Sequence, residues 1–163
     1  MSAVFNADEI FAMAEQIERN GAKFYRKAAG GAAGESGKDM LLGLAAMEDD
    51  HEKTFAAMRK ELTDQEQASA VFDPDDQAAL YLQAVADGHV FDTKVDPSAK
   101  LTGRETLAEI LTTAIGLEKD SIVFYIGMKD AVGRALGKEK IDGIIREEMS
   151  HVSLLSGELA KAS

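Results

Sequence analysis

Two stretches one hundred residues apart carry the same chemistry, and this repeat constrains the fold more than any other feature of the chain. IERNGAKFYRK contains Glu18, Phe24 and Tyr25, and LEKDSIVFYIG contains Glu118, Phe124 and Tyr125. Downstream, MEDDH gives Glu48 and His51 where EEMSH gives Glu148 and His151. The interval from the first acid to the second is thirty residues in both halves. Only three histidines occur in the chain, and two of them fall in this register. A reused packing face would account for the aromatics, but not for an acid on that face.

The apolar periodicity around these positions is helical. Ile10, Phe11, Ala14, Ile17, Phe24, Tyr25 and Ala28 share one face of a first helix expected over about 6–29. Asn6 and Glu9 are placed to form a capping box at its start. GGAAGESG at 30–37 interrupts it. A second helix, about 38–62, carries Leu41, Leu44, Ala45, Phe55 and Met58. The third, about 102–131, is expected to open with Thr102 and Glu105 as a second capping box. It carries Leu107, Leu111, Ala114, Ile115, Ile122 and Tyr125. The fourth, about 137–161, carries Ile141, Ile144, Ile145, Leu154 and Leu155. Between the two pairs, residues 63–101 read as a crossover containing one short helix, with Asp73 as its cap and Pro74 in its first turn. Two helical hairpins joined by one long connection make an all-α four-helix bundle, a single domain over 1–163.

Composition agrees and narrows the function. The chain is 45% hydrophobic and 29% charged, which suits a globular domain. A net charge of −11 argues against nucleic acid or an anionic membrane as the partner. No apolar run is long enough to span a bilayer, and MSAVFNADEI does not read as a signal peptide. The expected location is the cytoplasm. Zero cysteines remove disulfides, thiolate zinc sites and iron–sulfur clusters together.

Helix geometry brings the repeated acids to one depth. From Glu18 to its helix end is roughly 18 Å of rise, and the return to Glu48 is roughly 16 Å. The same holds for Glu118 and Glu148. The i, i+3 spacing of Glu48 with His51, and of Glu148 with His151, puts both members of each pair on one face. Four carboxylates and two imidazoles therefore point into one core. A buried carboxylate costs several kcal/mol unless it is protonated or paired, and no basic stripe lies on these faces. Two divalent cations would neutralise the four acids.

On these residues the chain resembles the rubrerythrin-like branch of the ferritin-like superfamily. One Glu from each of two helices plus Glu-x-x-His from the other two is the recognised ligand pattern of ferritin-like di-iron and di-manganese proteins. The likeness covers both hairpins and implies a ferritin-like bundle. It implies two iron ions held by Glu18, Glu48, His51, Glu118, Glu148 and His151, with Glu48 and Glu148 bridging. Zinc or manganese would suit the same site. The implied chemistry is Fe(II) oxidation by peroxide or oxygen, for peroxide detoxification or ferroxidase-type iron oxidation. A non-catalytic metal-binding role is the alternative. Two departures stand out. These residues have no rubredoxin-like module, so electrons would come from a separate rubredoxin-like protein. Ser121 occupies the position where rubrerythrins carry an extra glutamate. A homodimer or higher homo-oligomer is expected.

Tyr25 and Tyr125 are read either as partners of the ligand carboxylates, with a possible redox part, or as core aromatics with a satisfied hydroxyl. His89 has no partner at ligand spacing and reads as a loop residue. Asp49, Asp50 and Glu147 read as solvated acids, with contact to the histidines as the lesser alternative. The seven methionines are scattered and read as packing.

Overall fold

A computed structural model describes residues 5–31, 34–62, 64, 77–86, 95–132 and 137–162. Among the described residues five α-helices run in chain order: α1 (Ala7–Gly31), α2 (Glu35–Lys60), α3 (Gln77–Ala86), α4 (Leu107–Ala131) and α5 (Lys138–Ala162). A 3-10 turn at Pro97–Lys100 precedes α4. Helices α1 and α2 pack as one hairpin, α4 and α5 as the other, and α1 meets α4 between them. The four long helices form the expected bundle. Asp73, Pro74 and His89 lie outside the described residues.

Local chemistry sets the helix starts. Asn6 and Glu9 exchange side-chain-to-backbone hydrogen bonds of 2.9 and 2.8 Å, the expected capping box of α1. At α4 the expectation needs correction. The cap is Thr106 with Glu109, not Thr102 with Glu105. Thr-x-x-Glu occurs twice in succession, and Gly103 decides between the copies. With φ at +81° it lies in the left-handed region, which no right-handed helix accommodates. Thr102 and Glu105 instead close a turn, in which Glu105 accepts from the Thr102 and Gly103 amides at 2.7 and 3.0 Å. Helix α2 begins at Glu35, three residues before the expected start.

The crossover is fastened to both hairpins. Tyr81 of α3 donates to the Val123 carbonyl of α4 at 2.5 Å. Lys27 of α1 donates to the Ser98 carbonyl at 2.8 Å, and Lys23 pairs with Asp96.

The apolar core is divided in two. Towards one end of the bundle, Ile10, Phe11, Phe55, Phe124, Met128 and Ile141 pack together. Towards the other, Phe24, Leu41, Leu44, Ile110, Leu111 and Leu155 do so. Each such side chain, fully buried, contributes about 1.5–3 kcal/mol. Leu154, expected on the inner face of α5, points to solvent instead. Between the two clusters lies a layer that is not apolar.

Candidate metal centre

That layer consists of Glu18 on α1, Glu48 and His51 on α2, Glu118 on α4, and Glu148 and His151 on α5. None of the six exceeds 4% exposure. Burial is therefore complete enough for every charge here to need a partner. The residues fall into two overlapping groups whose potential ligand atoms lie within 4.8 Å of one another. One is Glu18, Glu48, His51 and Glu148; the other is Glu48, Glu118, Glu148 and His151. Glu48 and Glu148 belong to both.

Glu148 sits between the two imidazoles. Its Oε1 is 2.8 Å from His51 Nδ1, and its Oε2 is 2.9 Å from His151 Nδ1. The rings are nearly parallel, tilted by 19°, with centroids 5.9 Å apart. His51 Nδ1 also lies 3.4 Å from Glu18, and His151 Nδ1 lies 3.5 Å from both Glu48 and Glu118. Both Nδ1 atoms thus face the carboxylates.

The two tyrosines are buried and serve the acids, each across the hairpin boundary. Tyr25 of α1 donates to Glu118 of α4, and Tyr125 of α4 donates to Glu18 of α1. Burial raises both phenols well above their ordinary pKa, and the neighbouring carboxylates add to it. Both hydroxyls therefore remain donors.

Proton affinities in the layer are strongly perturbed. Burial raises Glu18, and it raises Glu48 well above the carboxylate range. Burial likewise holds Glu118 up at about 8. Glu148 is the exception: burial opposes its charge, but His151 and His51 outweigh this and hold it at about 2. Burial pushes both imidazoles down, yet the carboxylates around them prevail. His51 is held at about 11 and His151 at about 12.

The donor set fits divalent metal. Glu18 Oε2, Glu48 Oε1, both Glu148 oxygens and both Nδ1 atoms are buried and face one another at 2.8–3.5 Å without a well-formed hydrogen bond. Buried polar atoms without partners are rare, and a metal ion is one of the few things that satisfies so many at once. Oxygen and imidazole donors without thiolate suit iron, manganese or zinc.

Gly21 and Ser121, equivalent along the repeat, shape the approach to the layer differently. A Cβ at Gly21 would come 2.5 Å from Glu48 Oε2, so the glycine makes room for that carboxylate. Ser121 donates to the Leu117 carbonyl of its own helix at 3.0 Å. Its side chain borders a cavity of about 20 Å³ shared with Ile17, Asn20, Gly21, Glu48 and Glu118. Pro97 of the 3-10 turn also lines it.

All six expected metal residues and both tyrosines come together. Glu147, for which the sequence makes contact with a histidine the lesser alternative to a solvated acid, reaches across to His51 Nε2 at 2.7 Å. The repeat could not flag it, because its equivalent is Met47. Asp49 and Asp50 behave as read, pairing at the surface with Arg26 and Lys53. Among the described residues no helix is long and apolar enough to cross a membrane.

Comparison with known proteins agrees with this geometry. The family model for rubrerythrin matches residues 9–159. A crystal structure from Thermotoga maritima, proposed to be a ferritin-like diiron-carboxylate protein, superposes with a TM-score of 0.73. The two chains cover one another over 100% of their lengths at 24% identity, a likeness of fold. No curated protein matches significantly.

Proposed function

The chain belongs to the rubrerythrin family, and from that membership and its buried cluster we propose a di-iron oxidoreductase that reacts Fe(II) with peroxide or oxygen. The observation that carries the reading is the pair of overlapping four-residue groups, with Glu48 and Glu148 common to both. Bound iron would supply two one-electron Fe(II)/Fe(III) steps, the two electrons that reduce peroxide, with two protons, to two waters.

Glu18, Glu48 and His51 with Glu148 would hold one ion; Glu118, Glu48 and His151 with Glu148 would hold the other. Tyr25 and Tyr125 would fix the orientation of the outer carboxylates Glu118 and Glu18 by their hydrogen bonds. The cavity beside Ser121 has about the room a water-sized molecule needs. Its neutral lining at Gly21 and Ser121 would admit peroxide or oxygen next to Glu48 and Glu118. The protons held by the raised carboxyls and imidazoles would leave as metal enters, since ligands must be deprotonated.

These 163 residues contain no cysteine to build a thiolate electron-transfer site. Sustained turnover would therefore draw electrons from a separate redox protein, such as a rubredoxin-like one. The test is anaerobic reconstitution with Fe(II), metal analysis, and stopped-flow mixing with peroxide or with oxygen. Two irons per chain, oxidised within seconds by either, is the expected result. Iron that is retained but reacts with neither would leave a non-catalytic metal-binding protein.

A further inference from the structure

Among the described residues, Glu147 is the one carboxylate outside the six-residue layer that pairs with it. Its side chain is 56% exposed, yet Oε2 lies 2.7 Å from the outer nitrogen of His51. A carboxylate oxygen at that distance accepts a hydrogen bond from Nε2–H. That proton is thereby held on Nε2, so when metal displaces the other ring proton the Nδ1 lone pair is the one freed, facing Glu148 and Glu18.

His151 has the same inward Nδ1 but no such support. Its Nε2 is buried without a hydrogen-bond partner among the described residues. The residue that the repeat places opposite it is Met47, a thioether and at best a weak acceptor. Met47 is 39% exposed, so it faces solvent much as Glu147 does. Two imidazoles that are alike on the inside thus differ on the outside.

We propose that Glu147 is a positioning residue for His51, and that the Glu147/Met47 difference makes the two metal positions unequal. The position built on His51 binds its ion more tightly than the one built on His151. This rests on the reading of the six residues as metal ligands. Partners that orient a ligating histidine typically contribute about 10–100-fold in metal affinity.

The experiment is titration of metal-free protein with Co(II) against a competing chelator, resolving the two binding steps. It is joined by proton–nitrogen NMR of the imidazoles in the Zn(II)-loaded form. In wild type, two unequal steps and one slowly exchanging His51 Nε2–H signal are expected. Glu147→Met should weaken the tighter step about 10–100-fold, leave the weaker one alone and remove that signal. Glu147→Gln loses the same charge but keeps an acceptor, so it should retain most of the affinity. Met47→Glu should tighten the weaker step. Metal-free melting temperatures are measured alongside, since Glu147→Met leaves the buried His51 Nε2–H without an acceptor and should lower stability modestly, whereas Glu147→Gln should not. If Glu147→Gln is as damaging as Glu147→Met, the effect is charge alone and the proposal falls. Two-ion binding that Glu147→Met leaves unchanged also overturns it. A wild type that takes up neither ion would overturn both this proposal and the ligand reading beneath it.

Discussion

Along the repeat, the two hairpins bury the same chemistry and expose different chemistry. Inside, Glu18, Phe24, Tyr25, Leu41, Leu44, Glu48 and His51 stand opposite Glu118, Phe124, Tyr125, Ile141, Ile144, Glu148 and His151, all buried. Outside, Arg26 of α1 pairs with Asp49 of α2, whereas their equivalents are Ile126 and Met149, both exposed. Lys23, paired with Asp96, corresponds to Val123. The match is densest among residues that line the acid layer or pack directly above and below it, and outside them it includes the capping glutamates Glu9 and Glu109 at the helix starts. A layer that buries four carboxylates tolerates few alternatives, because each acid must keep a counter-charge or a proton. The outer faces carry no such demand. Even within the layer the halves are not identical, since Glu148 contacts both imidazoles at under 3 Å and Glu48 contacts only one, at 3.5 Å.

That last difference can be broken directly, with the largest expected effect. In metal-free protein Glu148 is the charged partner of both histidines, so Glu148→Gln should destabilise the fold by about 3–5 kcal/mol. Glu48 is pushed towards its neutral form by burial. Glu48→Gln should therefore be close to neutral without metal. Denaturant unfolding of the two metal-free variants makes the comparison, and equal losses would remove the distinction. With metal, the two should converge, each losing both ions because each residue belongs to both groups.

A smaller effect should separate Gly21 from Ser121. Gly21→Ala puts a methyl where Glu48 Oε2 now lies. The carboxylate is the far end of a flexible side chain and can move, so the fold should survive while metal affinity falls by about tenfold or more. Ser121→Ala removes only a hydroxyl bonded to its own helix, and should change affinity less than twofold. Chelator competition on both variants measures this. A Gly21→Ala protein with wild-type affinity would show that Glu48 need not occupy its present position.

The smallest effect lies on the outer faces. Arg26→Ala removes an exposed ion pair and should cost about 0–1 kcal/mol, less at high salt. A loss well above that, by denaturant melts at low and high salt, would mean that the first hairpin depends on its surface as the second does not.

What could be read in advance follows the same inner and outer division. The bundle and the six layer residues were legible because they occur twice in register, and helix geometry leaves them only one meeting place. The α4 start was not, because Thr102 and Thr106 carry the same cap signature and only the backbone at Gly103 distinguishes them. Glu147 was obscured because its partner is on another helix and its repeat equivalent is Met47. The tyrosines were legible as neighbours of the acids. Their crossing to the opposite hairpin depends on how α1 meets α4, which spacing within one helix does not encode. Leu154 was misplaced because it adjoins the buried Leu155 at the edge of the α5 stripe.

The central claim is that the layer is a metal site whose protons stand in for metal, and linkage between pH, metal and stability tests it most directly. Glu118 at about 8, His51 at about 11 and His151 at about 12 lie above the ordinary values of 4.5 and 6.5. Folded protein therefore holds protons between pH 6 and 8 that the unfolded chain releases. Raised groups of this kind contribute stability that is fully present below the unfolded pKa and lost as pH rises through the folded one. Glu148, lowered to about 2, contributes stability lost only on acidification below about 4.5. Metal-free protein should thus melt at a lower temperature at pH 8 than at pH 6. Saturating Mn(II) or Zn(II), bound to the folded state alone, should raise the melting temperature at both pH values, and more at pH 8. A melting temperature unmoved by metal at pH 8 would contradict the account.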